Sequence, residues 1–212
     1  MTSRERMLAT INHKQPDRIP IDVGGTGLTG INLMAYGRLK EYLGINEGMA
    51  RVFHSWIQVP ELEKAIADRL HSDTVTLPRH RMSLGIPNET FKVWNHCGTD
   101  FLFPEDFNPI RNDKGDLEWY ENDIMIAKAP GEGTHGFALY QHPLNALESK
   151  QDIDAWFDSY NGNFVGRIHC TDEELAYAGT FAKDLFENTD KLVISDFFGT
   201  SGADLDQNQW FL

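Results

Sequence analysis

Ala50-Arg-Val-Phe-His-Ser-Trp-Ile-Gln-Val59, the apolar stripe Leu62, Ile66, Arg69 and Leu70, and then Thr74-Val-Thr-Leu77 set a strand–helix–strand order. The first run alternates like a strand or edge segment. Pro60 suits the first position of a helix, and Glu61 and Glu63 in that opening turn complement its dipole. Thr74–Leu77 reads as a second strand, ended before Pro78.

The same alternation extends towards the amino terminus. Thr2 and Glu5 form a capping box ahead of Met7, Leu8 and Ile11, and Pro16 ends that helix. Ile19-Pro-Ile-Asp-Val23 follows as a short extended run, closed by Gly24-Gly25-Thr26-Gly27. Ile31, Met34, Ala35, Arg38, Leu39, Tyr42 and Leu43 then repeat at helical spacing, with Gly44 as the stop. Helix and strand alternate through the first third, the signature of α/β architecture.

From Phe91 to Lys128 aromatic and β-branched residues alternate with polar ones, and Asn112-Asp-Lys-Gly115 supplies a turn, so an antiparallel meander or hairpin is expected. Gly131–Gly136 reads as a flexible connection. Capping boxes return at Ser149 with Asp152, ahead of Ile153, Trp156, Phe157 and Tyr160, and at Thr171 with Glu174. The latter precedes Leu175, Ala178, Phe181, Ala182 and Leu185, and Lys191–Ser195 is a β-branched strand. The closing Trp210-Phe211-Leu212 is apolar where chain ends are usually polar, an expectation of a polypeptide that continues.

Composition narrows the function classes. The 212 residues carry 19 Lys and Arg against 32 Asp and Glu, a net charge of −13. That balance argues against nucleic acid and anionic lipid as partners. No apolar run approaches the ~20 residues of a membrane span, and Met1–Arg6 lacks the apolar core of a secretory signal. Cys97 and Cys170 cannot staple a chain of this size, which points to a reducing cytoplasm.

Thr2-Ser-Arg-Glu-Arg-Met-Leu-Ala-Thr-Ile-Asn-His-Lys-Gln-Pro-Asp-Arg-Ile-Pro-Ile-Asp22 resembles the amino terminus of the uroporphyrinogen decarboxylase superfamily, which includes corrinoid (methylcobalamin-dependent) methyltransferases. Gly24–Ile31, Ala35–Gly44, Phe107-Asn-Pro109, Asp172-Glu-Glu174 and Glu187-Asn-Thr-Asp190 look like its decarboxylase-like branch. The resemblance implies a (β/α)8 TIM-barrel fold, which typically needs ~250 residues. This chain is then expected as a single domain forming an amino-terminal partial barrel with an inserted antiparallel hairpin or meander. Residues 1–90 would hold the first β/α units, 91–136 the insertion and 137–212 further, truncated units.

Working groups of such barrels sit at the carboxyl ends of strands. That rule selects Asp22, Gly24, Gly25, Thr26, His54, Arg79, His80, Arg81 and Asp196 as substrate-binding residues. Gly24 and Gly25 either offer bare amides or simply form a tight turn. Arg79-His80-Arg81 either grips a carboxylate or phosphate bidentately or is a solvated loop. His54 is either a satisfied, half-buried histidine or a proton donor.

His96-Cys97 and His169-Cys170 supply four zinc-type ligands, but adjacent strand residues point to opposite faces, so no metal ligand is assigned. The methyltransferase relatives imply zinc and a corrinoid, and neither is placed on residues of this chain. Decarboxylase members grip carboxylates with arginines where this chain has Gly24–Gly30, and Asp73 and Asp196 are the candidates for their pyrrole-binding aspartate. The expected function is the substrate-pocket half of a corrinoid-dependent methyltransferase. Alternatives are a decarboxylase of a tetrapyrrole or other polycarboxylate using Arg79, His80 and Arg81, and a non-catalytic fragment that oligomerises. Expected partners are a small-molecule substrate, a corrinoid protein and a second copy of the chain.

Overall fold

The computed structural model describes residues 1–82, 86–121, 123–131, 136–140, 149–152 and 171–195. The Thr2 hydroxyl accepts from the Glu5 amide at 3.1 Å and the Glu5 carboxylate accepts from the Thr2 amide at 2.8 Å, opening α1 (Ser3–Ile11). The apolar stripe expected to face inward does not. Leu8 is 44% and Ile11 59% exposed, whereas Arg6 is buried. Asp73 explains the inversion, because its buried carboxylate accepts from Arg6 Nη1 at 2.6 Å.

Asn32 caps α2 (Leu33–Leu43) through the Met34 amide, and Gly44 ends it at φ 67°. The buried face is Leu33, Tyr36 and Gly37, while Tyr42, expected on the stripe, is exposed. Two polar ties set that rotation. The Tyr36 hydroxyl donates to Glu63 Oε2 at 2.9 Å, and Lys40 Nζ lies 2.7 Å from the same oxygen.

The stretch from 50 to 77 keeps its strands but rearranges them. β1 (Val52–His54) and β2 (Val59–Pro60) pair antiparallel with each other. Pro60 therefore belongs to a strand, and α3 (Lys64–Arg69) starts later, behind Glu63. Glu61 and Glu63 are spent on Arg51 and on Lys40 with Tyr36, a stronger use than the helix dipole expected of them. β3 (Thr74–Thr76) lies where expected.

The middle segment is antiparallel, as its alternation predicts. β4 (Phe91–His96) and β5 (Thr99–Pro104) form a hairpin whose linking residues, Cys97 at φ 50° and Gly98 at φ 83°, are both left-handed. Such a pair matches the right-handed twist of the strands it joins. β6 (Ile110–Arg111), β7 (Leu117–Glu121), β8 (Ile124–Ala129) and β9 (Ala138–Leu139) make a four-stranded sheet. The Asn112 side chain holds the Lys114 and Asp116 amides at 3.0 Å, which shapes the turn entering β7. Phe107 joins the two sheets, with ring centroids 4.5 Å from Phe103, 5.5 Å from Trp94 and 5.9 Å from Trp119.

α4 (Asp172–Asn188) carries the expected capping box, Thr171 with Glu174, and buries Ala178. β10 (Leu192–Ile194) runs parallel to β3, with Leu192 opposite Thr74 and Ile194 opposite Thr76. The Ser149–Asp152 box also forms, since the Asp152 amide donates to Ser149 Oγ at 3.2 Å. Ile153, Trp156, Phe157, Tyr160, residues 132–135 of the Gly131–Gly136 connection and residues 196–212 lie outside the described residues.

These sheets correct the barrel expectation. Among the described residues β3–β10 is the one parallel pair of strands, beside a lone parallel bridge between Arg51 and Leu102, and the other sheets are small and antiparallel, so no succession of parallel β/α units is present. Residues 19–23 show why. The Ile21 amide bonds the Asp73 side chain and the Ile21 carbonyl accepts the Asp73 amide, so both its groups end on one residue and no ladder continues. Among the described residues no helix is long and apolar enough to cross a membrane.

Candidate functional site

Asp22 builds the loop that follows it. Its Oδ1 accepts from the Gly25 amide at 3.0 Å and from the Thr74 hydroxyl at the start of β3. The Gly24 amide donates to the Thr29 carbonyl at 2.9 Å, and the Thr26 amide to Thr29 Oγ1 at 3.1 Å. The amides of Gly24, Gly25 and Thr26 are thus used inside the loop, which supports the tight-turn reading over the bare-amide one. Gly24 adopts φ 76°, a region open to glycine, and a Cβ there would stand 3.1 Å from Leu62 Cβ. At Gly25 a Cβ would stand 2.5 Å from Asp22 Oδ1 and 2.8 Å from Thr74 Oγ1. Gly25→Ala is expected to cost about 1–3 kcal/mol through forced displacement of the loop, read as a lowered melting temperature. An unchanged melt would show that the loop yields freely.

The cationic run Arg79-His80-Arg81 does not act as one clamp. Its three side chains differ in exposure. Arg79 is half-buried, His80 is buried and Arg81 is exposed. The run is pinned by Asn88, whose amide donates to the His80 carbonyl at 3.0 Å and whose Nδ2 donates to the Arg79 carbonyl at 2.7 Å. Helix α4 closes over it. Tyr177 lies with its ring centroid 5.1 Å from that of His80, and its hydroxyl donates to the Asn88 carbonyl at 3.5 Å. His80 Nε2 faces Glu89 at 3.4 Å and Glu173 at 3.7 Å.

Glu61 and Tyr177 are the site residues that sequence reasoning missed. Arg51 Nε and Nη2 both donate to Glu61 Oε2, at 3.1 and 2.9 Å. Burial pushes the Glu61 carboxyl above its usual range despite the charge and hydrogen bonds of Arg51. Burial also raises the Tyr177 hydroxyl; Arg51 opposes the shift, while Glu61 and Glu89 add to it. Leu62, the residue after Glu61, packs by the Gly24 turn. Glu61 gave no signal in sequence beyond its place near a helix start. Tyr177 was detectable only as the i+4 partner of Glu173 and the i−4 partner of Phe181.

Other expected residues sit elsewhere. His54 Nδ1 accepts from the Ile57 amide at 3.4 Å, inside the β1–β2 connection, which fits a satisfied histidine. Asp73 is not open to a substrate nitrogen. Arg6, Arg18 at 2.7 and 2.8 Å, and the Ile21 amide at 2.9 Å occupy its two oxygens. Burial alone would raise that carboxyl, but the Ile21 amide and the two guanidinium groups outweigh it and hold it below its usual range. Asp196 lies outside the described residues.

The described residues do not fit a zinc site. His96 is buried, and burial, with the charge of Arg111, lowers its pKa and keeps it neutral. Its neighbour Cys97 is exposed in the hairpin turn. No three His, Cys, Asp or Glu side chains converge to hold a metal among the described residues, and His169 and Cys170 fall outside them. Among the described residues the candidate sites are the Asp22 turn, the Arg51–Glu61 pair, and His80 and Asn88 beside α4. Compared with family models, curated proteins and solved structures, the chain matches none.

Proposed function

We propose that this chain forms the substrate-binding wall of a small-molecule enzyme of the uroporphyrinogen decarboxylase and corrinoid methyltransferase kind, acting on a carboxylated substrate. The order of the motifs from Thr2 to Asp190 supports the kinship. One observation carries the chemistry. Arg51 holds the Glu61 carboxylate with two hydrogen bonds, and Tyr177 of α4 lies on His80, the residue after Arg79 in sequence. Cations there hold carboxylates.

Of the two reactions the resemblance implies, loss of a carboxylate uses this set more fully. The C–CO2 bond breaks, carbon dioxide leaves, and the electron pair left on carbon takes a proton from solvent. No step is assigned to zinc or to a corrinoid. Citrate, a tricarboxylate probe, is expected to bind the chain in calorimetry, with Arg79→Ala weakening it about ten-fold or more, the loss of a charged hydrogen bond. Absence of binding, or equal affinity in the variant, removes the reading.

A further inference from the structure

We propose that two copies of this chain join edge to edge through β4, whose open side pairs antiparallel with its own copy about Val93. Among the described residues β4 is bonded to β5 alone, and the far side of β5 is covered by Ala50 and Arg51. The parity of the hairpin sets which groups are left over. The Glu105 amide donates to the Thr90 carbonyl at 2.8 Å, so Thr90 bonds across the hairpin. The Leu102 amide, opposite Val93, turns away instead and donates to the Ala50 carbonyl at 3.0 Å. Bonded and non-bonded pairs alternate along an antiparallel ladder, so Phe91, Val93 and Asn95 point their N–H and C=O groups away from β5. Those groups bond nothing among the described residues, and such a row is a template for another strand.

The side chains select a second copy as the occupant. Pairing about Val93, which is 58% exposed, sets two β-branched residues against each other and Phe91 against Asn95. A slip by two residues in either direction leaves Asn95 or Phe91 beyond the end of the facing strand. Lys92 Nζ is held by Asn108 Oδ1 at 2.6 Å and lies 5.8 Å from the centroid of its own Trp94. In the pair Lys92 comes beside the Trp94 ring of the other copy as well, a second cation–ring contact. Charge agrees with this. Each chain carries −13, so two copies repel over most of their surface. Phe91–His96 holds no acidic residue and a single lysine, and in this register neither lysine faces the other.

Sedimentation equilibrium of the full chain tests it, in about 0.5 M salt to screen the repulsion between copies. A monomer–dimer equilibrium is expected, with a dissociation constant on the order of 100 µM, the weak end of specific contacts. Nitroxide labels on Cys97, exposed at the tip of the hairpin, then read the register, with Cys170→Ser removing the second thiol. Pairing about Val93 sets the two Cys97 about eight positions apart along the strands, or ~27 Å by electron double resonance. Val93→Pro removes an N–H that faces open water in the monomer and bonds the other copy in the dimer. It is expected to leave the fold intact and weaken the dimer about ten-fold or more. Should the proline unfold the hairpin, Val93→Lys sets like charges opposite each other and is expected to weaken the dimer as much. A chain still monomeric at about 1 mM, a separation under about 20 Å or over about 35 Å, or unaltered dimerisation of the variants overturns the proposal.

Discussion

Asp73→Ala is expected to lower the unfolding free energy by about 3–5 kcal/mol, the range for breaking a buried ion pair from one side. The substitution leaves Arg6 buried with one carboxylate partner instead of two, and strips the Ile21 amide of its acceptor. Because Arg6 lies on α1 and Arg18 follows it, the change unties the amino-terminal segment from β3. Urea unfolding measures the loss, and a difference under about 1 kcal/mol would contradict it. Asp73 titrates below its usual range when folded, so its stabilisation is complete above the ordinary aspartate value of about 3.9 and fades as pH falls further. The gap between the two proteins should hold at neutral pH and narrow in acid.

Phe107→Ala is expected to cost about 3–5 kcal/mol as well, here through a cavity. Phe107 is fully buried and touches Phe103 of β5, Trp94 of β4 and Trp119 of β7, so it joins two sheets that share no hydrogen-bonded edge. Removing the ring should also reduce the near-ultraviolet circular dichroism of the tryptophans packed on it. Retained ellipticity together with unaltered denaturation would refute the role. Asp73 and Phe107 have no partner in common among these contacts, so the double variant should show the sum of the two losses.

Local rules were legible in the sequence because they involve neighbours. The capping boxes at Thr2, Ser149 and Thr171 and the Asn112 turn use groups a few residues apart. β3 and β10 were likewise readable as β-branched runs, but nothing in either stated that they pair. Helical periodicity assumes that apolar residues face inward. It failed at α1, where the Asp73 carboxylate, just ahead of β3, draws Arg6 in and leaves Leu8 and Ile11 out. The site shows the same division. Asp22 to Thr26 lay in one loop and could be selected as a group. Arg79, His80 and Arg81 are adjacent in sequence and differ in exposure, and Glu61 depends on Arg51 across a hairpin.

The β3–β10 pair has a consequence for synthesis. Lys191 donates to the Ser72 carbonyl across 119 positions, and joining ends so far apart costs about 4 kcal/mol of chain entropy beyond the constant term. While the ribosome is still translating the intervening region, β3 has an open edge and no mate. The hairpins between Val52 and Leu139 need no such wait and can form as they emerge. Chaperone engagement during that interval should therefore centre on β3, and end once residue 194 has left the exit tunnel.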